Sequence, residues 1–265
     1  MARLTLGSLS GLPEVRAGDD LAALILAALA REPQREPDGA RTLRDDQIVV
    51  IAQKAVSKAE GAVVALADVQ PSPRALAIAA EAVAHGHDKD ARAVQVVLDQ
   101  SAAIVRAVRG VLICRTRTGL VCANAGVDAS NAADPETLIV LPEDPDASAR
   151  RIRARLRELG GASPGVLITD SFGRAWRNGQ CDTTIGCAGV LPLEDWRGRT
   201  DSVGRELSAT WLAVADAIAA AADLARGKDS REPVVLVEGL GRLVTAEDGP
   251  GAAALIRPSQ EDLFQ

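Results

Sequence analysis

Apolar residues along this chain gather into short unbroken runs and into longer stretches with three- and four-residue spacing. Residues 47–52 (QIVVIA), 165–169 (GVLIT) and 233–237 (PVVLV) are continuous runs of strand length, and they predict strands in the protein interior. Residues 138–141 predict another. Residues 110–115 and 120–124 read as paired strands, with Arg117, Thr118 and Gly119 as their turn. Helices are predicted over 18–30, where Asp19 or Asp20 suits the N-terminal dipole, and over 73–84, 90–109, 148–159 and 202–226. Between 31 and 44 the chain turns polar and carries Pro33 and Pro37, which makes that stretch a loop or an insertion. Hairpins mixed with separated helices predict an α+β fold with mixed and antiparallel sheets and packed helices. At 265 residues the chain is read as one unit over 1–265, built either as a single body or as two intertwined subdomains.

Composition narrows the chemistry. With 47% hydrophobic residues there is enough apolar surface for a real core, and no run of eighteen uncharged apolar residues exists to span a membrane. The N-terminal residues show neither a basic start nor a long apolar run, so a cytoplasmic protein is expected. Thirty basic residues against thirty-six acidic ones give a net charge of −6, and aromatic residues make up only 2%. A nucleic-acid partner is therefore disfavoured. Cys114, Cys122, Cys181 and Cys187 form no CxxC pair, and His85 and His87 are the only imidazoles. Zinc and a disulfide framework are both disfavoured, and any metal should be a hard cation on oxygen ligands.

Five segments hold more polar and special-geometry residues than packing requires. Gly11, Leu12, Pro13, Glu14 and Val15 form a turn that can expose backbone amides, although a plain loop explains them too. After the 47–52 run come Gln53, Lys54, Lys58 and Glu60. The chain has four Lys beside twenty-six Arg, so two Lys four residues apart suggest compact charges for a phosphate; the alternative is a solvated junction with Glu60 pairing either lysine. Asp128 and Asn131 would share one face of a helical turn and could hold a divalent ion with its nucleotide, or Asp128 or Ser130 could cap a short helix. Asp170 ends a buried strand, where a carboxylate is costly unless paired or metal-bound, and Arg174, Arg177 and Gln180 follow as candidate anion binders. The fifth segment runs through Gly227, Lys228, Asp229, Ser230, Arg231, Glu232 and Pro233. It fails the Walker pattern at Ala222 and Asp229, and a helix C-cap at Gly227 accounts for it locally. Together these residues point to a metal-nucleotide or metal-phosphate site.

The ordered strings GLPE…GDDL, QKAVSKAEG, CANAGVDASN, LITDSFGRAWRNGQCDTTIG, DWRGRTDSVGREL and LIRPSQEDLF resemble the coenzyme F420-0:L-glutamate ligase family along nearly the whole chain. The resemblance implies a homodimer of that family's α+β fold with its site near the subunit interface. It also implies GTP-dependent addition of L-glutamate to coenzyme F420-0, with two Mg²⁺ or Mn²⁺ ions and help from K⁺. Matched residue by residue, it places Asp128 and Asp170 on the first cation and Ser171, where the family usually has Thr, on the second. Leu12, Pro13, Glu14, Val15, Gln53, Lys54, Lys58, Asn131 and the loop from Gly227 to Pro233 fall on nucleotide contacts. Lys58, Asp128 and Asp170 are the expected catalytic set, and Arg174 and Arg177 the expected holders of acidic substrates. Glu238 falls where relatives often carry Arg. Two alternatives are an amide ligase with another carboxylate acceptor and a non-catalytic nucleotide-binding protein.

Overall fold

The unbroken apolar runs become strands that are covered on both faces. In the computed structural model, which describes residues 3–32, 42–130 and 134–262, the elements follow in chain order. Strand β1 (Thr5–Ser8) and helix α1 (Leu21–Arg31) lead to β2 (Ile48–Ala52), α2 (Gln53–Ala59) and β3 (Val63–Ala65). Helices α3 (Pro73–Ala84) and α4 (Ala91–Gln100) precede β4 (Ser101–Val108), β5 (Val111–Thr116), β6 (Val121–Ala123) and β7 (Thr137–Ile139). Next come α5 (Pro145–Gly160), β8 (Gly165–Arg174), β9 (Arg177–Ala188), β10 (Glu194–Asp195), β11 (Trp211–Leu212), α6 (Val214–Ala225) and β12 (Val234–Glu238).

The main sheet has the order β1-β12-β2-β8-β9 and is mixed: β2 and β8 run parallel, and the other pairs are antiparallel. Its side chains alternate between two cores. Val49, Ile51, Val166, Ile168, Val234 and Leu236 join α1, α2 and α5 on one face. On the other, Ile48, Val50, Leu167, Val235 and Val237 meet α6. Burial on both faces is why these strands read as continuous runs and not as alternating patterns. A second sheet, β4-β5-β6, packs Leu112 and Cys114 against Ala75, Ala79, Val94 and Val97 of α3 and α4. The predicted α+β class with mixed sheets is the one found. Asp20 caps α1 by accepting from the Ala23 amide at 3.1 Å, and it also receives Arg155 of α5 at 2.8 Å, which ties the two helices together. All four cysteines are free thiols.

Two predicted helices are cut short. The helix expected over 90–109 ends at Gln100, and the chain continues as β4. Ile104, Val105 and Val108 favour the pleated surface, and Arg109 and Gly110, both at positive φ (52° and 76°), form a two-residue hairpin that pairs β4 with β5. The helix expected over 202–226 occupies only Val214–Ala225. Before it, Asp201 Oδ1 accepts from the amides of Val203 and Arg205, each at 2.9 Å, and Gly204 sits at φ 86°. That local turn competes with helix, and Trp211–Leu212 then pairs with Glu194–Asp195. Most of the polar stretch 31–44 lies outside the described residues. Among those residues, no helix is long and apolar enough to cross a membrane.

Candidate active site

The site forms at the end of the parallel pair, where Ala52 aligns with Thr169. From Ala52 the chain enters α2 directly, so Lys54 and Lys58 stand close above the strand end. Lys54 Nζ lies 2.7 Å from Asp128 Oδ2 and donates to Ser130 Oγ at 2.5 Å. Lys58 Nζ pairs with Glu14 Oε1 at 2.5 Å and so draws the 11–15 loop to the same end. The alternative reading, a lysine paired with Glu60, is not the one found: Glu60 Oε1 accepts from Arg151 of α5 at 2.7 Å, while Lys54 and Lys58 pair with Asp128 and Glu14.

Asp128 is delivered by a strained turn. Asn124, Ala125 and Gly126 all have left-handed φ (51°, 53° and 74°), which costs a non-glycine residue about 1–2 kcal/mol. Lys89 Nζ holds the turn by donating to Asn124 Oδ1 at 3.2 Å and to the Gly110 carbonyl. Asp128 itself is extended and bridges Ile139, so it does not stand within the helical turn read for it. Its Oδ1 instead accepts from the Ser130 amide at 2.7 Å, as suits an Asp that closes a local turn. Asn131 lies outside the described residues.

Asp170 follows the buried Thr169 on β8, and it is the electrostatically exposed point of the site. Burial, with added repulsion from Asp182 and Asp128, pushes its carboxyl up to about 6, opposed by the Ser171 amide and the charge of Lys54. Asp128 behaves in the opposite way. Burial penalises its charge too, but Lys54 and the Ser130 amide outweigh that and hold its carboxyl below the usual carboxylate range. Two carboxylates with one ammonium between them leave negative charge poorly compensated, and this suits a hard cation. Among the described residues no three carboxylate, imidazole or thiol groups converge on one point. A cation here would therefore draw on Asp128, Asp170, the Ser171 hydroxyl and oxygens of its substrate.

The 227–233 loop reaches the same end of the sheet. Lys228 Nζ donates to Ser171 Oγ at 2.7 Å and to Asp223 Oδ1 at 2.8 Å. The helix before it closes at Arg226, one residue earlier than the predicted cap at Gly227, with extended backbone at φ −114°. Other predicted residues are placed differently. Gln53 is buried, and its amide bonds Ser57 Oγ at 2.9 Å and the Val140 carbonyl at 3.3 Å. Arg174 and Arg177 face each other at the tip of the β8–β9 hairpin, beside Trp176 at φ 59°. Arg174 lies four positions along the strand from Asp170, about 13 Å, and donates to the Asn178 carbonyl at 2.7 Å. The strand read as ending at Asp170 runs on to Arg174 and turns back as β9, because the two strands pair along their length. Glu238 stands at the opposite end of the sheet, accepting from Gln47 at 2.8 Å, because β12 runs antiparallel to β2.

Two residues of the site escaped sequence reading. Asp182 and Arg226 form a buried ion pair, with side chains 1% and 8% exposed. They are 44 positions apart, and only the pairing of β9 with β8 and the end of α6 unite them. The one available signal was an acidic residue inside the otherwise uncharged CDTTIG string.

Comparison with known proteins places this architecture. The family model for F420-0:gamma-glutamyl ligase matches residues 11–239. The coenzyme F420:L-glutamate ligase of Methanopyrus kandleri is 43% identical over 254 residues, covering 95% of this chain and 94% of the relative. The enzyme of the same name from Methanothermobacter thermautotrophicus is 40% identical over 263 residues, 99% of each chain. That of Halobacterium salinarum is 40% identical over 252 residues, 91% of this chain and 92% of its own. The chain thus belongs to an amide-forming ligase class that couples an acid to an amino acid. Within it, this chain is a member of the F420-0:gamma-glutamyl ligase family.

Proposed function

We propose that this protein joins the amine of L-glutamate to the terminal carboxylate of coenzyme F420-0 at the expense of GTP, in coenzyme F420 biosynthesis. The observation that carries the proposal is the gathering of Lys54 on α2, Asp128 after β6, and Asp170 and Ser171 on β8, at the one end of the sheet that the 11–15 and 227–233 loops also reach. The names of the relatives support the acceptor and the amino acid.

Amide formation needs an activated carboxylate. In the proposed reaction the acceptor carboxylate attacks the γ-phosphorus, giving an acyl phosphate and GDP. The glutamate amine, arriving neutral, then attacks the acyl carbon, and inorganic phosphate leaves as the C–O bond breaks. Asp128, Asp170 and Ser171 would hold two divalent ions, Mg²⁺ or Mn²⁺, and the undercompensated charge of Asp170 fits that occupancy. When bound, such ions neutralise phosphate oxygens. Lys58 and Lys54 place positive charge where the transferring group carries negative charge, and the loop of Leu12, Pro13, Glu14 and Val15 faces the same space through the Lys58–Glu14 pair. No strong base is required, which suits a chain whose two imidazoles, His85 and His87, lie at the end of α3 away from these residues. Arg174 and Arg177 at the hairpin tip would meet the acidic substrates only from outside the carboxylate cluster.

A homodimer belongs to the same proposal. The β4-β5-β6 sheet exposes Val105, Val108, Val111 and Val121, apolar surface that a second copy would cover. Light scattering of the purified protein tests this, and a monomer at micromolar concentration would contradict it.

The deciding experiment is an end-point mass measurement with F420-0, L-glutamate, Mn²⁺, K⁺ and GTP, beside arms with ATP and with EDTA. A gain of one or more glutamyl masses that needs GTP and vanishes with EDTA is the expected result. No gain from folded protein with any nucleotide would reject the acceptor, and a panel of other carboxylates would follow.

A further inference from the structure

Asp182 faces Ser171 directly across the β8–β9 pair. Its side chain is 1% exposed, and every oxygen has work within the protein. Oδ1 accepts from Ser171 Oγ at 2.6 Å, Oδ2 accepts from Thr169 Oγ1 at 2.8 Å, and Oδ2 also meets the guanidinium of Arg226. Arg226 Nη2 lies 2.8 Å from the same threonine hydroxyl. On its outer side, Ser171 Oγ receives Lys228 Nζ at 2.7 Å.

This network sets the direction of one proton. A serine hydroxyl has one proton and two lone pairs, and a carboxylate paired with arginine offers only acceptors. The Ser171 proton therefore points inward to Asp182, and only lone pairs face outward. That outward face already accepts an ammonium group, that of Lys228. A divalent ion makes the same demand on the hydroxyl. The same ammonium stands 3.6 Å from Asp182 Oδ1, so Ser171 makes the direct contact and Asp182, its oxygens engaged beneath the strand, adds charge from behind it.

We infer that Asp182, held by Arg226, is a positioning residue that fixes the Ser171 hydroxyl as an outward-facing acceptor for a cation. The inference rests on the proposed role of Ser171 in the metal-nucleotide site. Asp182→Asn discriminates it sharply. The two donors at Arg226 and Thr169 draw the amide oxygen to their side, which turns the amide NH₂ toward Ser171. The serine must then accept from within, and its proton swings outward against the cation.

The test is equilibrium binding of Mn²⁺ in the presence of GDP, read from the EPR signal of free Mn²⁺, on the wild-type protein, Asp182→Asn, Ser171→Ala and the double variant. Thermal melts accompany each to establish folding. Asp182→Asn is expected to weaken Mn²⁺ binding about ten-fold or more, as outer groups around metal ligands do. Ser171→Ala should lose a similar factor, and the double variant should be no weaker than either single one. In turnover, the Mn²⁺ concentration for half-maximal rate should rise by the same factor while the KM for glutamate stays put, a split that general destabilisation does not produce. If Asp182→Asn does not fold, Asp182→Asn with Arg226→Gln removes both buried charges together and takes its place. Wild-type Mn²⁺ affinity in the folded Asp182 variant overturns the inference, as do losses that multiply in the double variant. Absence of Mn²⁺ binding by the wild-type protein overturns the metal site itself, and is told apart because it arises before any variant is compared.

Discussion

Arg153 provides the sharpest test of what holds the sheet to its flanking loops. This guanidinium on α5 is 6% exposed and donates to four carbonyls, those of Pro164 (3.0 Å), Ala246 (3.2 Å), Ser163 (3.4 Å) and Thr245 (2.6 Å), besides pairing with Asp248 at 2.8 Å. It thereby fastens the loop entering β8 to the loop after β12. Removing one partner of a buried charge pair costs about 3–5 kcal/mol. Asp248 is 45% exposed, so its own charge returns to water when Arg153 is lost. The cost then resides in the four carbonyls, and an open hollow beside Ala246 and Asp248 admits water to some of them. For Arg153→Ala the lower end of the range follows, about 3 kcal/mol. With a urea m-value near 3 kcal/mol per molar for a chain of this size, the midpoint falls by about 1 M. Arg153→Lys keeps the charge but loses the fork of donors and should fall by about 2 kcal/mol. Asp248→Ala, by contrast, should cost under about 1 kcal/mol. Gly189 supplies an independent check, since a Cβ there would stand 2.3 Å from the guanidinium, at a φ of 67°. Gly189→Ala should therefore destabilise the wild-type protein strongly and the Arg153→Ala protein less. The assay is urea denaturation followed by circular dichroism. A loss below about 1 kcal/mol for Arg153→Ala, or equal losses for Arg153→Ala and Asp248→Ala, would refute the carbonyl network as the source of stability.

Three further outcomes are expected. Asp170→Asn should lower ligase activity by about 100-fold or more while raising the melting temperature of EDTA-treated protein, because burial penalises the native charge; an unchanged rate or a lower melting temperature would contradict this. Burial also raises the Asp216 carboxyl above 3.8, against the bond it accepts from the Thr184 amide. The folded state therefore binds a proton that the unfolded chain has released, and stability falls as pH rises from 3.8 through the folded value; Asp216→Asn should flatten that part of a stability–pH curve, and an unaltered slope would discount it. Gly186→Ala would put a Cβ 2.4 Å from the Pro145 carbonyl oxygen at the start of α5, where backbone cannot yield cheaply. About 1–3 kcal/mol of stability should be lost in the same urea assay, and a neutral result would mean that β9 and α5 can separate there.

How much of this was legible in the chain depends on the range of the interactions. The buried strands announced themselves because burial on both faces demands apolar residues at every position, and 48–51 and 234–237 show nothing else. Helix α1 was readable from Asp20 and the apolar residues behind it, both local signals. The failures at 101–108 and 202–213 have different causes. In the first, pairing with β5 overrode the helical preference of a segment with three alanines; in the second, the turn closed by Asp201 broke the helix before Trp211–Leu212 paired with β10. The fourth segment was noticed for its charges, but its hairpin form depends on β9 aligning with β8 over ten residues of strand.

The candidate site divides in the same way. Lys54, Lys58, Asp128, Asp170 and Lys228 stood out in sequence because charged residues beside apolar strands are conspicuous and cheap to spot. Their partners did not, because side chains 76 positions apart (Lys54 and Ser130) or 57 apart (Lys228 and Ser171) meet only after the sheet order is established. Asp182 and Arg226 mark the limit most clearly. Composition and spacing treat both as ordinary surface charges. Only the folded chain buries them together, where their attraction offsets part of the cost of desolvating both, and turns a carboxylate inward beneath the hydroxyl of Ser171. The chain by itself thus determined most of the elements, the family and most of the charged groups of the site, because those follow from local patterning. Which charges meet, and which way their protons point, was decided by the tertiary structure, because those depend on distances that the order of residues does not contain.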